Sequence, residues 1–139
     1  MADSNSASGI NTSVIHIILE GSPLSTNSVY KHGRGVSYMT KKGRDLKDSY
    51  VEQAKKQFNR KTLLSEPLTI SVGVFLGDKR RRDWDNYHKL SMDALNGTVW
   101  EDDEQVMVSH VYKLIDTIRP RIELYINKYD ESRDWFQHA

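Results

Sequence analysis

Leu68-Thr69-Ile70-Ser71-Val72-Gly73-Val74-Phe75-Leu76 alternates without a break, with Leu68, Ile70, Val72, Val74 and Leu76 on one side. A two-residue period rich in β-branched residues predicts a strand with one face on a core. The strand runs straight into Gly77-Asp78-Lys79-Arg80-Arg81-Arg82 and then Asp83-Trp84-Asp85-Asn86-Tyr87-His88-Lys89. A helix is expected from about Trp84 or Asp85 to Asn96-Gly97, with Tyr87, Leu90, Ala94 and Leu95 as its buried stripe and the glycine as its stop. Val106 to Ile115 reads as the next strand, so the centre of the chain is a strand–helix–strand unit.

Toward the N-terminus, Val14-Ile15-His16-Ile17-Ile18-Leu19-Glu20 is a strand whose nearly continuous apolar character suggests cover on both faces. Pro23 to Gly35 reads as a long loop carrying Lys31, His32 and Arg34, and Val36 to Met39 as a short strand. Thr40 is placed to cap a helix running to about Phe58, with Leu46, Tyr50, Val51, Ala54 and Phe58 on one stripe. Its other face carries Lys41, Lys42, Arg44, Lys47, Lys55 and Lys56, which fits either an ordinary solvated surface or contact with DNA. Toward the C-terminus, Arg121 to Ile126 alternates as a final strand, with Pro120 at its start. Residues 1–13 are expected to be disordered, 14–127 to form the domain, and 128–139 to be a polar tail containing Trp135 and Phe136. The expected fold class is α/β (α+β): a single compact domain, a mixed β-sheet with helices mainly on one face.

Composition narrows the chemistry. The 139 residues fit one domain. With 20 Lys+Arg against 19 Asp+Glu, any basic footprint must be local. The absence of cysteine removes disulfides, thiolate nucleophiles and Cys-type zinc sites, and the five histidines lack the His-x-x-x-His spacing of a zinc site. No apolar run approaches the ~18 residues of a membrane span. The N-terminus lacks the pattern of a secretory signal. A soluble protein of the cytoplasm is expected.

The acidic residues carry two readings. Asp83 and Asp85 stand at i and i+2, on one side of an extended chain about 7 Å apart, but nearly opposite in a helix. If both serve one site, at least Asp83 lies outside the helix. An Asp at a helix start is by default a cap, and an Asp in a turn is by default solvated. The sharper reading joins Asp83 and Asp85 to Asp103 of the second acidic run, Trp100-Glu101-Asp102-Asp103-Glu104. Clustered carboxylates demand a cation, and hard oxygen donors suit Mg²⁺ or Mn²⁺. The preceding Lys79, Arg80, Arg81 and Arg82 would then hold a phosphate backbone, or else merely pair with acids across the loop. Lys89 is either an i, i+4 partner of Asp85 or a cation facing a scissile phosphate. His88 is by default surface decoration, with general base as the rival role.

The blocks Arg82-Asp83-Trp84-Asp85-Asn86-Tyr87-His88-Lys89, Asp93-Ala94-Leu95-Asn96-Gly97 and Asp102-Asp103-Glu104-Gln105-Val106, in register, resemble the RusA family of Holliday-junction resolvases. Gly21-Ser22-Pro23, Asn27 and Tyr30 are similar to the family's opening, so the resemblance spans most of residues 16–126. It implies a small homodimer that binds four-way junction DNA and makes paired Mg²⁺-dependent incisions, with no small-molecule cofactor, in a bacterial or phage-infected cell. It also implies that Asp83, Asp85 and Asp103 are the essential acids, Lys89 the functional lysine, and Arg82 a phosphate contact. Asp102 matches the neighbouring acid and could exchange roles with Asp103; Gln105-Val106 sets the register in favour of Asp103. Two rivals remain at this level. One is a DNA-binding protein without activity. The other is an Asp-x-Asp metal-dependent transferase, which the lack of a Gly-rich phosphate loop disfavours.

Overall fold

The computed structural model describes residues 14–133 and Phe136; the expectations for residues 1–13 and for Trp135 lie outside them. Six strands and three helices follow in the order β1 (Ile15–Glu20), α1 (Thr26–Val29), β2 (Tyr30–Gly33), β3 (Val36–Met39), α2 (Lys41–Gln57), β4 (Leu68–Leu76), α3 (Lys89–Leu95), β5 (Val106–Ile115) and β6 (Arg121–Lys128) among the described residues. Short 3-10 turns cover Asp103–Gln105 and Glu131–Arg133.

The alternating strand is the centre of the molecule. The main sheet has the order β1-β6-β4-β5, with β5 parallel to β4 and β6 antiparallel to both β4 and β1. Parallel neighbours need a crossover, and α3 supplies it. Leu68, Ile70, Val72, Val74 and Leu76 are all buried, as the alternation predicts. They share one core with Ile17 and Leu19 of β1, Ile122, Leu124 and Ile126 of β6, Tyr50 and Ala54 of α2, and Leu90, Ala94 and Leu95 of α3. Both longer helices therefore cover the same face. The opposite face is open, with Tyr112, Leu114 and Tyr125 exposed on it.

Thr40 caps α2 as expected, accepting from the Gly43 amide at 3.1 Å, and the helix stops at Phe58. Gly43 is required by packing: a Cβ there would lie 2.8 Å from Val29 Cγ1 and 3.0 Å from Val29 Cα. The first turn of α2 thus rests directly on α1.

Three expectations are corrected. Strand β1 is covered on one face only, with Ile17 and Leu19 buried and His16 and Glu20 exposed. It is an edge strand, and an apolar run alone cannot distinguish one-sided from two-sided cover. Its free edge is closed by side chains of α2. Ile18 N–H donates to Gln57 Oε1 (2.7 Å) while Gln57 Nε2 donates back to Ile18 O (2.7 Å). Gln53 does the same for Glu20.

The stretch 23–35 is not simply a loop. Ser25 caps the one-turn helix α1, and β2 pairs with β3 in a hairpin. Its turn uses Arg34 (φ 51°) and Gly35 (φ 76°), the left-handed pair that suits a tight hairpin. An arginine at positive φ is a weak sequence cue, which is why the turn was not legible.

Helix α3 begins at Lys89, not at Trp84 or Asp85. A helix from Trp84 would give the Asn86 carbonyl to the Leu90 amide. Instead that carbonyl accepts from Thr26 N (2.8 Å) and Thr26 Oγ1 (3.2 Å). A tertiary contact to α1 therefore keeps residues 83–88 in turns. Neither Asp83 nor Asp85 caps α3; the cap position is His88, which makes no side-chain cap bond.

Candidate active site

The loop after β4 is ordered by its own charges. Asp78 accepts from Arg82 Nη1 (2.7 Å) and Nη2 (3.0 Å), and from the Arg80 amide and Nε. Arg82, followed by the Arg80 amide, holds the Asp78 carboxyl far below the usual carboxylate range. The Arg82 side chain is only 11% exposed and stands over the Tyr87 ring, so it is an internal brace of the loop. Lys113 of β5 adds a bond from Nζ to the Arg82 carbonyl (2.6 Å). Lys79, Arg80 and Arg81 point to solvent.

This brace delivers Asp83 and Asp85 to the turn ahead of α3, both exposed. The second acidic run returns through a compact path. The α3 helix ends at Asn96-Gly97, with Gly97 at φ 75°, and Trp100 is fully buried with its Nε1 donating to Asn96 Oδ1 at 2.6 Å. Asp102 then caps the 3-10 turn. Its Oδ1 accepts from Glu104 N (3.1 Å), and Gln105 Oε1 accepts from Asp102 N (2.9 Å). Gln105 Nε2 also donates to the carbonyls of Leu64 and Glu66, both at 3.0 Å. Asp102 is thus occupied in holding the turn.

Asp85, Asp103 and Lys89 line one open cleft of about 520 Å³. Asn86, His88, Met92 and Asp93 line it from the same segment, Thr26 and Asn27 from α1, and Ser109 from β5. Asp83 is outside this lining. Among the described residues, no three acidic or histidine side chains are grouped closely enough to hold a metal ion. The cleft therefore presents two of the three acids that the sequence singles out. Lys89 does not pair with Asp85; its Nζ lies 3.3 Å from Asp93 Oδ2. His88 is half-buried with Nδ1 unpartnered, and burial, aided by Lys89 and opposed by Asp85, lowers its pKa. Its imidazole is neutral at neutral pH. Lys41 pairs with Asp45 at 2.8 Å, while Lys42 is exposed beside it. Thr40, just before them, donates from Oγ1 to the Ser28 carbonyl at 2.7 Å and so ties the start of α2 to α1.

Sequence reasoning missed Thr26 and Ser109 altogether, and it gave Asn27, Tyr30 and Asp93 no place at the cleft although they fall within the stretches that resemble the family. Asp93 had a signal, its i, i+4 spacing from Lys89. Tyr30, which donates to Asp93 Oδ2, is distant in sequence, and the family resemblance marks the residue without marking this contact.

A family model described as endodeoxyribonuclease RusA matches residues 20–127. The chain belongs to the RusA family. A RusA relative from Enterobacteria phage 82, called crossover junction endodeoxyribonuclease, is 36% identical over 114 residues, covering 81% of this chain and 93% of that protein. The RusA protein of Escherichia coli strain K12, of the same name, is 35% identical over 107 residues, or 76% of this chain and 88% of its own. One from E. coli O139:H28 is 33% identical over the same length. The RusA match takes in every element from α1 to β5, β6 as far as Asn127, and with them the whole cleft. No helix among the described residues is long and apolar enough to cross a membrane.

Proposed function

We propose that this protein is a crossover junction endodeoxyribonuclease that resolves four-way DNA junctions by phosphodiester hydrolysis. The carrying observation is the convergence of Asp85, Asp103 and Lys89 on one open cleft in a chain of the RusA family. A water oxygen adds to phosphorus in line, the bond from phosphorus to the leaving strand-end oxygen breaks, and the water's proton is passed on as that oxygen is protonated. Lys89 donates from its ammonium to the phosphoryl group or leaving oxygen, where negative charge builds up. Neutral His88 adds no charge to the cleft.

Membership of this nuclease family implies a divalent-metal requirement in general. Mg²⁺, or Mn²⁺ in its place, suits the donors here, because it binds through one or two carboxylates and fills its other positions with water and phosphate oxygens. Asp85 and Asp103 would hold it, with Asp83 as the third carboxylate brought in from the adjoining turn. When bound, the ion supplies Lewis-acid polarisation of the phosphate and activation of water. Lys79, Arg80 and Arg81, with Lys41 and Lys42, track the DNA backbone. Arg82 acts by keeping their loop in shape.

A junction presents two symmetry-related strands, which calls for two copies of the site. The open sheet face supports a homodimer. Gly73 leaves a hollow of about 190 Å³ there, among Phe75, Tyr112, Leu114 and Tyr125, and a second copy would cover it. A cytoplasmic location fits a DNA substrate and the phage and bacterial relatives. The deciding experiment is cleavage of a synthetic four-way junction against linear duplex, with Mg²⁺ present and absent. Mg²⁺-dependent symmetrical incision of the junction alone is expected. Binding without cleavage would instead favour an inactive junction-binding protein.

A further inference from the structure

Lys89 and Asp93 form an ion pair that helix energetics do not explain. Lys89 is the first residue of α3 and Asp93 is near its end. A cation at a helix N-terminus and an anion toward the C-terminus both oppose the helix dipole. Lysine before the acid is also the weaker order for an i, i+4 pair. The two charges are therefore placed against the preference of their own helix.

A residue outside the helix holds them there. The Tyr30 hydroxyl donates to Asp93 Oδ2, the atom that also faces Lys89 Nζ at 3.3 Å. The Lys89 ammonium lies 5.3 Å from the centroid of the Tyr30 ring, within cation–π range. Burial, followed by Asp93, pushes the Tyr30 hydroxyl far above its usual range, so it stays a donor. The Tyr30 ring packs on the core, which gives the arrangement a rigid footing. Asp93 and Lys89 both line the cleft that holds Asp85 and Asp103.

We propose that Tyr30 and Asp93 are positioning residues for Lys89: the Tyr30 hydroxyl orients the Asp93 carboxylate, which steadies the Lys89 ammonium against the tyrosine ring and toward the cleft. Asp93 engages one N–H of the ammonium and leaves two for phosphate oxygens. A free lysine would lose rotamer entropy on being fixed; here the fold has restricted it beforehand. Tyr30 opens the exposed hairpin β2–β3, so the lysine's placement depends on how that hairpin is seated.

The proposal rests on the reading of Lys89 as the phosphate-facing cation, and its test has two separable arms. The first needs no substrate: heteronuclear NMR of the Lys89 ¹⁵Nζ signal. A Lys89 Nζ resonance distinct from those of the solvated lysines is expected in the unaltered chain, moving to join them in Tyr30→Phe and Asp93→Asn. An unshifted resonance in both variants overturns the positioning. The second arm is single-turnover cleavage of a four-way junction, with junction affinity measured in parallel. Tyr30→Phe keeps the packed ring and Asp93→Asn keeps the side-chain shape, so both should melt like the parent. Each should slow cleavage about ten- to a hundredfold, the scale of a misplaced reacting group, with affinity unchanged. In a Lys89→Ala background neither should slow it further. Equal slowing in that background, or a loss confined to affinity, overturns the proposal. Cleavage by Lys89→Ala at the parent rate would overturn the reading of Lys89 itself, while the NMR arm still decides the positioning.

Discussion

Adjacent aspartates in this chain have separable jobs. Asp102 bonds to the backbone of its own turn, whereas Asp103 lines the cleft. Asp102→Ala should cost about 1 kcal/mol, the usual worth of a cap, read as a lower melting temperature with cleavage largely kept. Asp103→Asn should do the reverse, abolishing cleavage while leaving the melt and junction binding intact. If Asp102→Ala were the inactive variant and Asp103→Asn the unstable one, the two assignments would be exchanged. The arginines divide in the same way. Replacing Arg80 and Arg81 with Ala should lower the slope of log affinity against log salt by about 0.9 for each phosphate that is no longer neutralised. Arg82 is bound to Asp78 and mostly shielded from solvent, so Arg82→Ala should instead loosen the loop and reduce cleavage on every substrate alike.

The cleft exists because of how short elements dock. Helix α1 is one turn long, yet it takes the Asn86 carbonyl, receives the start of α2 and supplies a wall of the cleft. Gly43 is the contact point between α2 and α1. Gly43→Ala adds a Cβ at 3.0 Å from a backbone atom of Val29, which cannot yield by rotating a side chain. Overpacking of this kind costs ~1–3 kcal/mol, against a helix-propensity gain of about 1. Net destabilisation in denaturant titration is expected, together with slower cleavage as Thr26 and Asn27 shift; a more stable, fully active variant would show that the two helices can part freely. The glutamines facing β1 act at this scale as well. By bonding to the N–H and C=O of both Ile18 and Glu20 they leave no free edge for another strand at those positions.

At the scale of the whole molecule, one sheet face is covered by helices and the other is available. Tyr112→Asp would set a charge on the open face, on its edge strand β5. If the proposed homodimer forms through this face, the variant should sediment as a monomer in analytical ultracentrifugation and cut junctions by single nicks rather than paired incisions. An undisturbed dimer would move the subunit contact elsewhere. The same face carries a line of charge: Glu123 accepts from Arg121 Nε at 2.6 Å and pairs with His16 Nε2 at 2.8 Å, while His16 stacks on Tyr125. Burial pulls the Glu123 carboxyl up, but the bonds from Arg121 and His16 outweigh it and leave its pKa below the usual 4.5. A depressed folded pKa contributes stability above that value and loses it as the pH falls. Glu123→Gln should therefore lose stability at neutral pH and show a shallower fall in melting temperature below about pH 4.5. Parallel curves for the two proteins would remove Glu123 from the acid response.

What the sequence determined by itself is what depends on local periodicity and local bonding. The alternation of Leu68 to Leu76, the Thr40 cap, the stripe of α2 and the Asn96-Gly97 stop each predict a structure their own neighbours enforce, and each is found. The acidic blocks likewise carried the resemblance to the RusA family through residue type and spacing, and the family is found. Tertiary structure alone decided where α3 begins, since a bond from Thr26, sixty residues away, claims the carbonyl an earlier start would need. It also decided that Arg82 is a brace, that Asp102 is a cap beside a cleft-lining Asp103, and that Lys89 faces Asp93 and Tyr30. Each of these turns on which long-range partner wins a hydrogen-bonding group, and that competition is resolved only when the sheet, α1 and α2 are packed together.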